Sequence, residues 1–241
     1  FKDFYVTLYN HYEDIKYREY TSPDIINLPS HFSRFKTNDC TIVPHSILRE
    51  TISKYTFGIS DLLPYEYNFV FSGGLLYDAV TDLSCSLLNN HKITDNIDID
   101  LFFYNNSVEL AKRAFTSIVE NLTQKYNITI SISTNNLINI HIDPSGYPRA
   151  KLTDTIPRTI QLIFTNKKTP NEIMNDFDDS HVRMYYSRGS TPQQDNIHCS
   201  VSCIESLVYQ KSITRNICSL KRSFKALNRG LTLQNDNKLF T

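Results

Sequence analysis

Two short stretches of this sequence carry side chains whose types and spacing could do chemistry. Asp98 and Asp100 sit in Ile97-Asp98-Ile99-Asp100-Leu101-Phe102-Phe103-Tyr104, an apolar run that reads as a strand. Residues two apart on a strand project from the same face, so the two carboxylates point together and could share one cation. Oxygen ligands of that kind select a hard divalent ion, Mg²⁺ or Mn²⁺. About 25 residues upstream, Phe69-Val70-Phe71 delivers Ser72-Gly73-Gly74 to the start of an apolar helical stretch, Leu75 to Leu88. Two glycines let backbone N–H groups approach a phosphate closely, and the start of the next helix adds a favourable dipole. A metal beside a phosphate cradle is the equipment of phosphoryl or nucleotidyl transfer.

The elements that must hold these groups follow from local pattern. Residues 1–66 read as a helical N-terminal region crowded with Tyr5, Tyr9, Tyr12, Tyr17 and Tyr20, which pack a helical cover or stack on bases. Pro44 opens its clearest helix and Gly58 stops it. Residues 67–190 read as an α/β (α+β) core. Ser107 caps a long amphipathic helix with Val108, Ala111, Phe115, Ile118, Val119 and Leu122 on one face. Alternation on both sides of Asn135-Asn136 predicts a hairpin over 128–142, and 144–157 reads as loop. Thr159 to Phe164 is a further strand, Thr169-Pro170 opens a short helix, and 182–186 forms one more strand. Residues 188–197 read as loose, and 191–241 as a helical C-terminal region ending at a cap formed by Arg229-Gly230. The fold class expected is a mixed β-sheet flanked by helices, with helical segments at both ends.

Composition narrows the function classes. The 241 residues contain 40% hydrophobic and 12% aromatic side chains, too many to stay unfolded. Lys+Arg and Asp+Glu balance at 25 each, so a nucleic-acid partner would have to be held by a local patch. No apolar run approaches the roughly 20 residues of a membrane helix, so no membrane partner is expected. An opening Phe1 reads as a processed or excised chain. Five scattered cysteines argue against a disulfide scaffold and for a reducing, intracellular compartment. His198, Cys199 and Cys203 lie close together but lack the second ligand pair of a zinc site.

The residues Phe69-Val70-Phe71-Ser72-Gly73-Gly74-Leu75-Leu76-Tyr77-Asp78, followed by Asn96-Ile97-Asp98-Ile99-Asp100-Leu101-Phe102-Phe103, resemble the nucleotidyltransferase superfamily of DNA polymerase beta, poly(A) polymerases and CCA-adding enzymes. Ile160-Gln161-Leu162-Ile163, then Glu172-Ile173 and Phe177-Asp178, resemble a divergent branch of it seen in large DNA viruses. The resemblance covers about residues 67–187. It implies a nucleotidyltransferase-like sheet, a bound NTP, and transfer of NMP to an acceptor hydroxyl on an RNA 3′ end, a small molecule or a protein. It implies Asp98 and Asp100 as Mg²⁺ ligands, with Ser72, Gly73 and Gly74 at the phosphates. Where the CCA-adding branch has an Arg-Asp pair, this chain has Tyr77-Asp78. Gln161 stands where a third carboxylate is expected, so Asp143, or else Asp178, would have to complete the set. Lys221 and Arg222, on a C-terminal segment with Lys225 and Arg229 and no acidic residue from 206 to 235, would neutralise the pyrophosphate. The alternative is an inactive module of the same fold that binds nucleotide or a protein.

Overall fold

The computed structural model describes residues 5–11, 42–81, 98–143, 158–214, 222, 225–227 and 229–235. Its main element is an eight-stranded sheet made of β1 (Tyr5–Thr7), β2 (Phe69–Ser72), β3 (Ile99–Phe103), β4 (Asn127–Thr134), β5 (Leu137–Asp143), β6 (Arg158–Phe164), β7 (Met184–Ser187) and β8 (Asn196–Ser200). The strand order is β1-β8-β7-β2-β3-β6-β5-β4. All neighbours are antiparallel except β3 and β6, which run parallel. A parallel pair needs a long crossover. Among the described residues it comprises helix α3 (Val108–Thr123) and the β4–β5 hairpin.

One face of the sheet carries the main core. Ile99, Leu101 and Phe103 of β3, Ile160 and Leu162 of β6, and Ile140 and Ile142 of β5 are buried with Phe71, Met184 and Ile197. Against them pack α1 (Leu48–Tyr55), α2 (Gly74–Thr81) and α3, through side chains such as Ile52, Leu76 and Ile118. Each such side chain contributes about 1.5–3 kcal/mol on burial. Ser107 caps α3 as its type predicts, its Oγ accepting from the Leu110 N–H at 3.2 Å. Val108 departs from expectation and is exposed, because it stands in the first turn, before the apolar stripe of α3 reaches the sheet. The opposite face has a smaller cluster, in which α4 (Pro170–Met174) sets Ile173 and Met174 on Val70 beside Phe102 and Phe177.

Both terminal regions contain the expected helix, including the one between Pro44 and Gly58, but also add strands. Tyr5–Thr7 pairs with β8 and extends the sheet, while Tyr12, Tyr17 and Tyr20 lie outside the described residues. Tyr5 and Tyr9 are packing residues: their hydroxyls donate to Asn175 Oδ1 at 3.2 Å and to the Val43 carbonyl at 3.1 Å. At the other end, 196–200 is strand β8 and Ser200 caps α5 (Val201–Tyr209). Gln210 then turns into the left-handed region at φ 50° and ends the helix. Lys211–Thr214 (β9) and Thr232–Asn235 (β10) follow as a two-stranded parallel ladder. The alternation that makes β9 a strand buries Ser212 and Thr214, polar side chains that a search for apolar periodicity passes over. Strands from 1–66, 67–190 and 191–241 thus share one sheet. The loop expected over 144–157 lies outside the described residues. Cys199 and Cys203 are buried thiols, outside any disulfide, on β8 and α5. Among the described residues no helix is long and apolar enough to cross a membrane.

Candidate functional site

The diglycine bend and the paired carboxylates meet. Antiparallel pairing sets Ser72 opposite Asp100, so the chain leaving β2 turns into α2 beside that carboxylate. Gly73 makes the turn at φ +94°, a conformation that side chains rarely adopt. A Cβ added there would strike Asp100 Oδ2. Asp100 stands half-buried beside Asp98, and its carboxyl is pushed up to about 7 by burial and by the charge of Asp98, against the opposing pull of Lys225. A carboxyl raised by burial and by a like charge beside it is favoured in its charged form by a nearby cation.

Gly74 opens α2, and its missing side chain matters for a second reason. The guanidinium of Arg229 lies against it, where any Cβ would strike Nη2. Arg229 grips Asp78 of α2 with two bonds, Nε to Oδ1 at 2.6 Å and Nη2 to Oδ2 at 3.0 Å, and lies over the Tyr77 ring at 5.8 Å. Asp78 thus takes its arginine partner from the C-terminal segment. Beneath Tyr77, His181 meets its ring edge-on at 5.1 Å and shares a 2.7 Å hydrogen bond with Ser212 through Nδ1. Burial, with Arg229 nearby, holds His181 well below the ordinary histidine range, in its neutral form.

The remaining expected site residues fall in different places. The Ser72 hydroxyl is fully buried and donates to the Met184 carbonyl at 2.5 Å, so its side chain ties β2 to β7 and does not face a ligand. Gln161 does occupy the position beside the carboxylates: it pairs with Asp100 across β3–β6 and donates Nε2 to Asp98 Oδ2 at 3.3 Å. Asp143 lies at the end of β5, opposite Asn127, with the whole of β6 between its strand and β3. The register places it on the same sheet face as Asp98 and Asp100 but does not bring it to them. Asp178 is engaged by Arg222 in an ion pair, so the two expected site residues neutralise each other. Lys221 lies outside the described residues. Among the described residues no group of three or more His, Cys, Asp or Glu is placed to hold a metal ion.

Sequence reading missed two features. Arg229 reads in the sequence as one of several basic residues and as part of a helix cap, with no local signal for its partner. The second is a polar row across the sheet: Asp100, Gln161, Asn139 and Ser131 stand side by side on β3, β6, β5 and β4. The signal for it was present in the alternation of Asn139 and His141 with isoleucines.

Among curated proteins, none matches this chain. A family model described as Gabija anti-defense 2 family protein matches residues 46–210, a stretch that contains the diglycine bend, both carboxylates and Gln161 but stops short of Arg229. That match spans more than half of the sequence, and the chain belongs to the Gabija anti-defense 2 family.

Proposed function

We propose that this chain is a metal-dependent nucleotidyltransferase, moving a nucleoside monophosphate from an NTP to an acceptor hydroxyl, and that it serves in this way the role against Gabija defence named in its family's description. The observation that carries this reading is the contact between Asp100 and the Gly73 turn, with Asp98 alongside. Asp98 and Asp100 fit Mg²⁺ or Mn²⁺, since Mg²⁺ is commonly bound by one or two carboxylates and completed by water and substrate phosphates. Such an ion, when bound, supplies charge neutralisation at the phosphate oxygens.

The chain's own groups supply the rest. Backbone N–H groups at Gly73 and Gly74 and the start of α2 would receive the β- and γ-phosphates. Lys225, whose charge acts on Asp100, and Arg229, which lies against Gly74, would offset the charge of the departing pyrophosphate. The acceptor oxygen attacks the α-phosphorus as the bond to the bridging oxygen breaks, and its proton passes to a carboxylate oxygen of the Asp98–Asp100 pair. Gln161 would orient Asp98 through the bond it already makes.

A second reading is favoured by Gln161 itself. A neutral amide where a third carboxylate is expected suits an inactive module that holds nucleotide or a protein partner. The deciding experiment incubates the protein with α-labelled NTPs, Mg²⁺ or Mn²⁺ and hydroxyl-bearing acceptors, beside the Asp98→Ala/Asp100→Ala variant. Pyrophosphate release and label transfer that vanish in the variant are expected. Bound NTP with no transfer in either protein selects the inactive module.

A further inference from the structure

Resting on the nucleotidyltransferase reading, we infer that the acceptor is the hydroxyl of a polypeptide, presented over the polar sheet face that runs from Asp100 to β4. Two rows of side chains pave that face. Asp100, Gln161, Asn139 and Ser131 form one row, and Thr159, His141 and Thr129 form the next. Adjacent strands are about 4.8 Å apart, so the paving extends roughly 14 Å beyond Asp100. His141 is hydrogen-bonded on both sides, to Ser131 Oγ at 3.0 Å and to Thr159 Oγ1 at 3.2 Å. The side-chain oxygen of Asn139 is shielded from solvent yet has no hydrogen-bond partner among the described residues, an acceptor directly beside Gln161.

No Lys or Arg stands in either row, while Asp100 opens the first and Asp98 flanks it. A nucleic acid laid across this face would bring phosphates to carboxylates and hydroxyls, with nothing in the paving to neutralise them. The cations Lys225 and Arg229 lie instead at the diglycine end, where the NTP phosphates belong.

The face also ends in an edge that suits a polypeptide. β4 is the last strand of the sheet among the described residues. Its eight residues, Asn127 to Thr134, include no charge and no proline, and Ile132 is 76% exposed. Edge strands are usually blunted by charge or proline, and an unprotected one is a template for another chain's backbone. A partner docking its own strand there would bring an adjoining loop across the paving. The serine, threonine or tyrosine oxygen of that loop forms a bond to the α-phosphorus as the bond to pyrophosphate breaks. Its proton goes to the carboxylate pair, pyrophosphate leaves with the bonding electrons, and NTP is the sole co-reactant.

The test supplies each α-labelled NTP with Mg²⁺ to the full chain in the presence of casein plus a Ser/Thr/Tyr peptide library, and in parallel mixed-sequence RNA and single-stranded DNA. Label that enters polypeptide, resists nuclease and is lost in Asp98→Ala/Asp100→Ala is the expected result. Thr129→Lys/Ser131→Lys should lower polypeptide labelling about tenfold, because it places charge on the paving. Ile132→Lys, at an exposed position whose fold is checked by a thermal melt, should lower it as well. Label that enters RNA or DNA instead, and rises in the lysine variants, overturns the inference, as does label found only in small soluble products. NTP bound but transferred to nothing overturns it too and selects the inactive module. Neither binding nor transfer overturns the nucleotidyltransferase reading beneath it.

Discussion

Asp195 and Asp100 are two sheltered carboxylates in one fold, and their surroundings are opposite. Asp195 is fully buried between the β7–β8 connection and α1, and every direction around it is answered. Arg49 donates Nε at 2.8 Å and Nη2 at 2.5 Å, Tyr186 donates its hydroxyl at 2.6 Å, and the Gly189 N–H donates at 2.8 Å. Burial alone would raise this acid, but those donors overcome it and hold the carboxyl below the usual carboxylate range. Asp100 has a second acid beside it, a glycine against it and a cation only at a distance, and it is pushed up to about 7. The difference separates a carboxylate that holds the fold together from one that, on the function proposed above, awaits a cation.

The comparison breaks most sharply at Asp195. Asp195→Ala strands Arg49 and should cost about 3–5 kcal/mol in urea unfolding. Because the folded form of Asp195 ionises more easily than the unfolded, its contribution is present above about pH 4 and is lost on acidification through the folded value. Arg229→Ala tests an intermediate case, since its pair with Asp78 is largely sheltered. It should cost about 2–3 kcal/mol and weaken NTP binding, read by titration with a fluorescent nucleotide.

Asp100→Asn should act in the opposite direction. The folded carboxyl is raised, so the wild-type protein loses stability as pH climbs from about 4 through 7. The amide variant avoids that loss and should be about 2 kcal/mol more stable at pH 8 without metal, and little different at pH 4. Adding Mg²⁺ should raise the melting temperature of the wild type and leave the variant unmoved. The smallest effect is expected at Arg222→Ala, whose pair with Asp178 is exposed at the arginine. It should change stability by no more than about 0.5 kcal/mol, and less still in high salt.

How far each feature could be read in the sequence follows from how local its cause is. β3, the β4–β5 hairpin and the Ser107 cap rest on patterns only a few residues long, and the structure carries all three. The paired carboxylates were legible because period two fixes which side chains share a face. β9 was not, since its buried side chains are Ser212 and Thr214 and the basic residues around it imitate a helical face. The inward turn of Ser72 depends on β7, more than a hundred residues away, which offers the carbonyl of Met184. The Asp78–Arg229 bond spans 151 residues, and no window of sequence contains both ends.

That last bond has a consequence for heredity. A relative conserving only residues 46–210 would inherit the bend and both acids but no brace for Asp78. In such a chain a side chain at position 74 would meet no guanidinium, which removes one reason for glycine there. Glycine at 74 and arginine near the tail should therefore be kept or lost together across descendants, as a lock and its key are.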